Sequence, residues 1–321
     1  MIYYICKNEY SYELFYIEKR AVIVYNNYII MGKSIMRKLV INTGFRYGYV
    51  YDDSNIRKMT WEEELDVIAQ AGFDGVFTAW RQGKMQPLAE RVKDLGLYYQ
   101  SIHAPAGNME AFWSESADGE AITKRGIDCL RECAEIGVPL VIMHANPGSS
   151  GFSPLQIGVD RFGEIVKEAE KLGSIIALEN VRDTQFLDVL FDAFDTNKNV
   201  KFCIDTGHAN AYTPDVDVLG KYGEKLICTH LNDNFGKHAT EPPFNRDDAH
   251  MLPFDGTVDW EKTVQYMKER NYQGDITLEV VHHSKRGKNT HDIYKEMSCL
   301  EYLQLALQKA EIFRAKLNEN K

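Results

Sequence analysis

The chain has 321 residues, 44% of them hydrophobic and 26% charged, and it holds no uncharged apolar run of the roughly 18 residues that a membrane span needs. Its formal net charge of -10 argues against a broad nucleic-acid footprint, because such footprints need clustered Lys and Arg. Its six cysteines form no CxxC pair, which indicates reduced thiols and a cytoplasmic protein.

Residues 1–35 differ from the rest of the chain. Tyrosines and isoleucines are mixed there with charges, without the apolar core and cleavage site of a signal peptide. Met36 is followed at once by RKLVINTG, which is typical of the first strand of a domain. The sequence therefore predicts an N-terminal appendage over 1–35 and one domain over 36–321. Three explanations of the appendage stay open: disorder, a mis-assigned start upstream of Met36, or packing on a partner chain in a homo-oligomer.

From Met36 onward, short apolar runs alternate with amphipathic stretches of helical length, a pattern typical of βα units and a parallel sheet. Thr60 opens the first helix, where Glu63 completes a capping box and Gly72 ends the helix. The eight predicted strands lie at 38–42, 75–80, 97–103, 139–144, 174–180, 200–205, 225–231 and 275–281. The eight predicted helices lie at 60–72, 85–95, 118–136, 153–173, 185–194, 214–222, 258–270 and 291–317.

This alternation predicts the α/β class and a single (β/α)8 TIM barrel. A doubly wound sheet is the alternative, but such sheets usually have about five or six strands. In a barrel the active site forms at the C-terminal ends of the strands. Asp205 and His208 lie where a buried strand is expected to give way to a loop. Metal-competent side chains predicted on the same rim are His103, His144, Glu179, Asp205, His208, His230, Asp248, His250 and Glu279.

Each of these residues also has a plain structural explanation. A histidine that ends an apolar strand often makes an ordinary hydrogen bond at the rim, and a salt bridge can hold Glu179 or Glu279 inside its apolar run. Their conjunction on six of eight successive strands favours metal binding. The remaining histidines are expected to be solvated loop or helix residues: His238, His282, His283 and His291.

Glu179, Asp205, His230 and Glu279 come from four adjacent strands and are predicted to converge on one divalent metal ion. Carboxylates and imidazoles without thiolate suit Mn²⁺, Co²⁺, Zn²⁺ or Mg²⁺. The other five rim residues would either ring a bound small carbohydrate or hold further ions, up to three in all. Such an ion can polarise a carbonyl or hydroxyl of a sugar.

Seven short segments between Ile102 and Val281 carry a resemblance to a known family. They are IHAP, MHANP, LEN, CIDTGHAN, THLNDN, DDAHMLPFDGTVDW and LEVV. With them the chain resembles the xylose isomerase-like TIM barrel superfamily, which includes sugar phosphate isomerases and epimerases, inosose dehydratases and the DNA-repair enzyme endonuclease IV. The resemblance extends over most of the predicted barrel, and its motifs are specific to the superfamily more than to one activity.

The resemblance implies a metal-dependent isomerase or epimerase of a small sugar or sugar derivative. In such epimerases the residues matching Glu179, Asp205, His230 and Glu279 bind one ion, which stabilises an enediolate while the two glutamates move a proton off carbon and back. His208 would hydrogen-bond a substrate oxygen. Further candidate substrate contacts, for which rim packing is an equal alternative in the case of the aromatic residues, are His103, Asn180, Trp80, Trp113 and Phe112.

Three other functions stay open. In endonuclease IV all nine rim positions have counterparts that bind three zinc ions, so the chain resembles a phosphodiesterase acting on abasic DNA. The acidic net charge and the scarcity of Arg in the loops after the first two strands argue against DNA. A related sugar or inosose dehydratase is the second. A barrel that binds a sugar or metal without turnover is the third, and the cost of two buried carboxylates disfavours it.

Overall fold

The computed structural model describes residues 37–45, 59–146, 152–236, 248–285 and 288–319, together with the backbone of four strands between residues 3 and 32. The chain divides into two compact units, Met1–Arg37 and Lys38–Lys321. The four strands of the first unit pair in chain order as an antiparallel sheet and span Tyr3–Lys7, Tyr10–Ile17, Arg20–Tyr25 and Tyr28–Gly32. That residues 1–35 form an appendage, and that they mediate a homo-oligomer, stay predictions.

The second unit is a parallel barrel, so the predicted fold is confirmed. Its eight strands follow one another around the sheet, with the last strand beside the first. A bridge between Leu231 and Leu278 joins the two remaining edges, through a hydrogen bond of 2.8 Å from Leu231 N to Thr277 O. The strands are β1 (Leu39–Asn42), β2 (Gly75–Ala79), β3 (Tyr98–His103), β4 (Leu140–His144), β5 (Ile175–Glu179), β6 (Val200–Asp205), β7 (Leu226–His230) and β8 (Ile276–Leu278).

Helices follow the strands and pack on their outer faces, where most of the buried apolar side chains lie. A smaller apolar layer fills the barrel interior and consists of Ile142, Ala177, Cys203 and Cys228. The helices are α1 (Trp61–Ala71), α2 (Met85–Asp94), α3 (Met109–Phe112), α4 (Ala117–Glu135), α5 (Gln156–Leu172), α6 (Gln185–Ala193), α7 (Thr206–Tyr212), α8 (Val218–Tyr222), α9 (Trp260–Glu269) and α10 (Cys299–Asn318). In the described part of the chain, no helix combines the length and the apolar character needed to cross a membrane.

Helix α1 shows how local sequence sets the element boundaries. The Thr60 side chain accepts from the backbone N–H of Glu63, and the Glu63 carboxylate accepts from the backbone N–H of Thr60, so the predicted capping box is present. Gly72 ends the helix with φ of 99°, in the left-handed region that glycine adopts without strain. Leu65 and Ile68 are fully buried and attach the helix to the barrel.

We expect Thr60→Ala to lower the free energy of unfolding by about 1 kcal/mol, because the first turn loses a side-chain acceptor for a helix N–H. Urea unfolding followed by circular dichroism measures the change. Thr60→Ser keeps the hydroxyl and is the control, with an unfolding free energy close to that of the wild type. Equal losses in both variants would contradict the role of the cap.

The structure corrects two predicted elements. Residues after Asp205 form helix α7 at once instead of a loop, because the Asp205 carboxylate accepts the backbone N–H of His208 and caps the helix. The predicted helix over 291–317 is shorter: a 3-10 turn at Asp292–Tyr294 precedes α10, which starts at its own capping residue Ser298. Ile293, in this 3-10 turn, is 59% exposed.

The expectation that the histidines after β8 are solvated is also wrong. His282 and His291 are 1% and 2% exposed. The His282 ring stacks on Tyr302 of α10 at 4.4 Å between centroids, and its Nε2 lies 3.2 Å from the carbonyl oxygen of Tyr294. Helix α10 therefore covers the loop that carries them. His283 is partly buried, and His238 lies outside the described residues.

Candidate metal centre

The C-terminal ends of neighbouring strands bring the predicted ligands together. Five strands, β3 to β7, each end in one of them, and the sixth, Glu279, directly follows β8. His208 lies on α7, and Asp248 and His250 lie between β7 and α9. In each of three groups the ligand atoms are within 4.8 Å of one another. These are the central group (Glu179, Asp205, His230, Glu279), the first outer group (His103, His144, Glu179) and the second outer group (His208, Asp248, His250).

Several atoms of the central group that could bind a metal ion make no ordinary hydrogen bond within the described part of the chain. His230 Nδ1 lies 3.2 Å from Glu179 Oε2 and 2.9 Å from Glu279 Oε2. Glu179 and His230 are at most 1% exposed, yet neither carboxylate oxygen of Glu179 and neither ring nitrogen of His230 makes a well-aligned hydrogen bond to the described residues. A buried carboxylate whose oxygens accept no hydrogen bond costs several kcal/mol unless nearby positive charge compensates it. A divalent cation among these atoms would satisfy them, so the residues fit a metal ion.

The first outer group has the spacing of a metal site with an open position. His103 Nε2 and His144 Nε2 are 3.2 Å apart, and each lies 3.3 Å from Glu179 Oε2. Zinc–ligand bonds of about 2.0–2.1 Å in a tetrahedron place neighbouring ligand atoms about 3.3 Å apart. His103 Nδ1 contacts the carbonyl oxygen of Ala104 at 2.7 Å. A proton on Nδ1 leaves the Nε2 lone pair directed at the group, as a ligand requires.

The second outer group is built in the same way around Asp248. Its two carboxylate oxygens face two imidazoles: Oδ2 lies 3.4 Å from His208 Nε2, and Oδ1 lies 3.3 Å from His250 Nε2. The opposite ring nitrogens each contact a backbone carbonyl oxygen at 2.9 Å, His208 Nδ1 that of Asn180 and His250 Nδ1 that of Glu279. Both rings therefore present Nε2 to the same carboxylate.

Charges inside the cluster shift the pKa values in opposite directions. Burial alone would raise the pKa of Glu179, but the charges of His230 and His144 hold it well below its usual value. Burial raises the pKa of Asp205 to about 7, and the charge of His208 opposes the shift only in part. Burial would lower the pKa of His230, yet the facing glutamates raise it well above its usual value. Positive charge thus belongs between these carboxylates, where a bound divalent ion would supply it.

Asp205 is held by neighbours on both sides. Its Oδ1 accepts the backbone N–H of His208 at 2.6 Å, and its Oδ2 accepts from Asn232 Nδ2 at 2.8 Å. Asn180 Nδ2 donates to the Asp205 carbonyl oxygen at 2.9 Å, and Asn180 Oδ1 accepts the Asp205 N–H at 2.8 Å. Both amide atoms of Asn180 are therefore engaged with the backbone of a ligand. The Asn180 amide therefore orients Asp205, and contact between Asn180 and substrate stays a prediction.

The two tryptophans expected to contact a sugar are also engaged elsewhere. Trp80 Nε1 donates to Glu132 Oε2 on α4 at 2.8 Å, so its polar edge faces the helix layer. Trp113 is 1% exposed, and its Nε1 donates to the carbonyl oxygen of Ala145 at 2.6 Å. Phe112 is equally buried. The burial of Trp113 and Phe112 favours the packing alternative for both residues, while His103 lies on the rim with 16% of its side chain exposed. Contact of these side chains with a sugar stays a prediction.

Sequence reasoning missed two residues that support the ligands. Asn232 and Asp233 follow β7 after one intervening residue, Leu231, and both are fully buried. Asn232 bonds to the predicted ligand Asp205, while Asp233 pairs through its backbone with Met251, the residue after the predicted ligand His250. The segment THLNDN carried a signal for this role. Polar side chains that come just after an apolar strand and a candidate ligand lie at the rim, where they can support that ligand.

Comparisons with known proteins agree with this architecture. A sequence profile of the xylose isomerase-like TIM barrel family matches residues 65–303. The protein y4fM of Sinorhizobium fredii is 26% identical over 259 residues, which cover 67% of this chain and 79% of y4fM.

Two solved structures share the fold. D-psicose 3-epimerase of Clostridium cellulolyticum H10, crystallised with D-tagatose, has a TM-score of 0.64 at 15% identity and covers 87% of this chain and 99% of its own. The IolI protein with a bound zinc atom has a TM-score of 0.61 at 16% identity and covers 87% of this chain and 97% of its own. At these identities the two structures establish the fold alone. Because the profile spans most of the chain and the barrel carries the expected strands, the protein belongs to the xylose isomerase-like TIM barrel family.

Proposed function

We propose that the chain is a divalent-metal-dependent isomerase or epimerase of a small sugar or sugar derivative. The observation that carries the proposal is the placement of two carboxylates around one point: Glu179 Oε2 and Glu279 Oε2 lie 3.2 and 2.9 Å from the same atom, His230 Nδ1. Two acid–base groups flanking one carbon are what removal and return of a proton require. The similarity in fold to D-psicose 3-epimerase and to a zinc-bound IolI protein supports this choice.

The chemistry divides between the ion and the two glutamates. A divalent ion held by the central group would polarise the carbonyl and adjacent hydroxyl oxygens of a ketose and acidify the neighbouring C–H bond. One of Glu179 and Glu279 accepts that proton, and the other returns a proton to carbon. The pKa of each carboxyl is lowered, so the glutamate that accepts the proton is ionised, as a base must be, and the glutamate that returns a proton must first take one up from solvent.

The two glutamates differ in their access to water. The Glu179 side chain is fully buried, whereas 21% of the Glu279 side chain is exposed. A proton held by Glu279 therefore reaches solvent more readily than one held by Glu179. We expect this difference to appear as incorporation of solvent deuterium into the substrate, with Glu279 as the exchanging group.

The test is carbon-bound proton exchange in D₂O with a panel of unphosphorylated ketoses, followed by NMR. We expect deuterium next to the carbonyl of at least one ketose. Treatment with a chelator should abolish the exchange, and one equivalent of Mn²⁺, Co²⁺, Zn²⁺ or Mg²⁺ should restore it. No exchange with any ketose by the metal-loaded protein would contradict the proposal and favour a binding protein or a dehydratase.

A second candidate, hydrolysis of a phosphodiester in abasic DNA, is supported by the outer groups. Three ligand groups, two of which share Glu179, could hold three zinc ions, the arrangement implied by the resemblance to endonuclease IV. The net charge of -10 disfavours a DNA substrate. Metal analysis of the protein purified without added metal separates the two functions. We expect about one ion per chain, whereas about three zinc ions would make abasic DNA and phosphate esters the first substrates to test.

A further inference from the structure

We propose that two buried tryptophans, Trp113 and Trp260, position the two outer ligand groups independently of each other. The Trp113 indole N–H donates to the backbone of Ala145, the residue after His144, whereas the Trp260 indole N–H donates to the side chain of Asp233, whose backbone pairs with Met251, the residue after His250. The inference rests on the proposed metal centre and does not depend on the sugar reaction.

Trp113 acts directly on the end of β4. Its Nε1 donates to the carbonyl oxygen of Ala145 at 2.6 Å, and Ala145 follows the ligand His144. The indole packs against Phe186 of α6, with ring centroids 5.0 Å apart, and is 1% exposed. A buried indole in this packing has little freedom to move. Its hydrogen bond therefore fixes the position of the Ala145 carbonyl group, and with it the end of β4 and the adjoining His144.

The turn that carries Trp113 is itself clamped from α5. Arg161 is 7% exposed and directs its guanidinium at the turn between α3 and α4. The carbonyl groups of this turn include the last ones of α3, which accept no hydrogen bond within the helix. The guanidinium donates to the carbonyl oxygens of Ala111 at 3.0 Å, Phe112 at 2.8 Å, Ser114 at 2.7 Å and Ser116 at 3.0 Å.

Trp260 acts on the second outer group through Asp233. Its Nε1 donates to Asp233 Oδ2 at 2.8 Å, and the other carboxylate oxygen accepts the backbone N–H of Val258 at 3.0 Å. The Asp233 backbone exchanges two hydrogen bonds with Met251, at 3.0 and 2.9 Å. Met251 follows His250, whose backbone has a φ of 52°. A non-glycine residue in the left-handed region needs support from its surroundings, and this pairing supplies it.

The outer groups need such support because their ligand atoms repel one another. The Nε2 atoms of His103 and His144 face each other at 3.2 Å, with both lone pairs directed inward unless a proton or a cation lies between them. Without an external anchor the rings would turn apart. Residues that hold metal ligands in this way typically change metal affinity by about 10- to 100-fold when they are altered.

The experiment compares Trp113→Phe with Trp260→Phe, which make the same chemical change and serve as each other's control. Both lose an indole N–H and keep an aromatic ring. The chelator-stripped full-length proteins are titrated with zinc beyond one equivalent, and anomalous X-ray diffraction at zinc concentrations that partly fill the outer groups assigns occupancy to each group. We expect Trp113→Phe to weaken zinc binding in the first outer group by about 10-fold or more and to spare the second. Trp260→Phe should show the reverse.

Two further variants keep the test open if a tryptophan variant does not fold. Arg161→Lys loosens the turn that carries Trp113, and Asp233→Asn removes an acceptor used by Trp260, so each should weaken the same group selectively. Equal weakening of both outer groups, unchanged binding in both, or zinc only in the central group of the wild type would each overturn the inference. The last result leaves the isomerase proposal intact, whereas a wild-type protein that binds no divalent ion refutes both.

Discussion

Replacing Glu179 by glutamine is expected to lower proton exchange between substrate carbon and solvent by about 10²- to 10⁴-fold, the range that a positioned acid–base group contributes. Glutamine keeps the size of the side chain but cannot accept a proton from carbon. Glu279→Gln should have an effect of the same order. Exchange needs both removal of a proton from carbon and return of a proton to it, and each variant lacks one of the two groups. The measurement is deuterium wash-in by NMR with saturating metal and substrate.

Two controls separate this loss from damage to the metal centre. Metal content of each variant is measured alongside exchange, since a variant without ion would be inactive for a different reason. Glu120→Gln removes a carboxylate from the exposed first turn of α4 and should exchange at the wild-type rate. A fully metal-loaded Glu179→Gln or Glu279→Gln protein with near-normal exchange would remove that glutamate from the mechanism.

The barrel and the ligand positions could be predicted because both follow from short-range patterns. The predicted strand 200–205 coincides with β6 (Val200–Asp205), and the other strands agree within a few residues. Parallel strands end at one edge of the sheet. The strand pattern alone therefore predicts that residues far apart in sequence, such as His103 and Glu179, lie close together. The fold prediction is confirmed, while ion binding by these residues stays a prediction.

Side-chain partners were harder to predict, since they depend on which neighbour comes closest in space. Asn180 follows a ligand in sequence, yet its amide is directed at the backbone of the adjacent strand end at Asp205. Trp113 is aromatic and near the rim, but Gly158 of α5 and Phe186 of α6 pack against its ring. His282 is buried because α10 stacks Tyr302 on its ring. Each outcome depends on an element that local sequence around the residue does not reveal.

Helix α7 combines a residue predicted from sequence with side-chain contacts that only the structure reveals. Its cap, Asp205, is also a predicted ligand, so the same carboxylate ends the strand, starts the helix and would face a bound ion. Glycine at the second position of the helix obscures its propensity in the sequence. The reason for that glycine is visible in the packing: a Cβ at Gly207 would lie 1.8 Å from Oδ1 of Asn232, the residue that donates to Asp205 Oδ2.

Gly207→Ala is therefore expected to weaken metal binding by about 10- to 100-fold, the range found when support for a ligand is disturbed. The added methyl group must displace the Asn232 amide, and the Asp205 carboxylate then loses one of its two hydrogen bonds. Asn232 is fully buried, so it has no open space into which to retreat. Titration of the chelator-stripped protein with zinc or Mn²⁺ measures the affinity.

Gly163→Ala is the matched control for this change. Gly163 also lies in a helix, α5, but a Cβ there would be 3.7 Å from the Phe194 ring, an ordinary van der Waals contact. It should bind metal as the wild type does and unfold with a free energy raised by about 0.4–1 kcal/mol, because alanine has less freedom in the unfolded chain. If Gly207→Ala keeps wild-type metal affinity as well, Asn232 does not orient Asp205. A loss of metal affinity in Gly207→Ala but not in Gly163→Ala would show that metal binding depends on having glycine, and no larger side chain, at position 207.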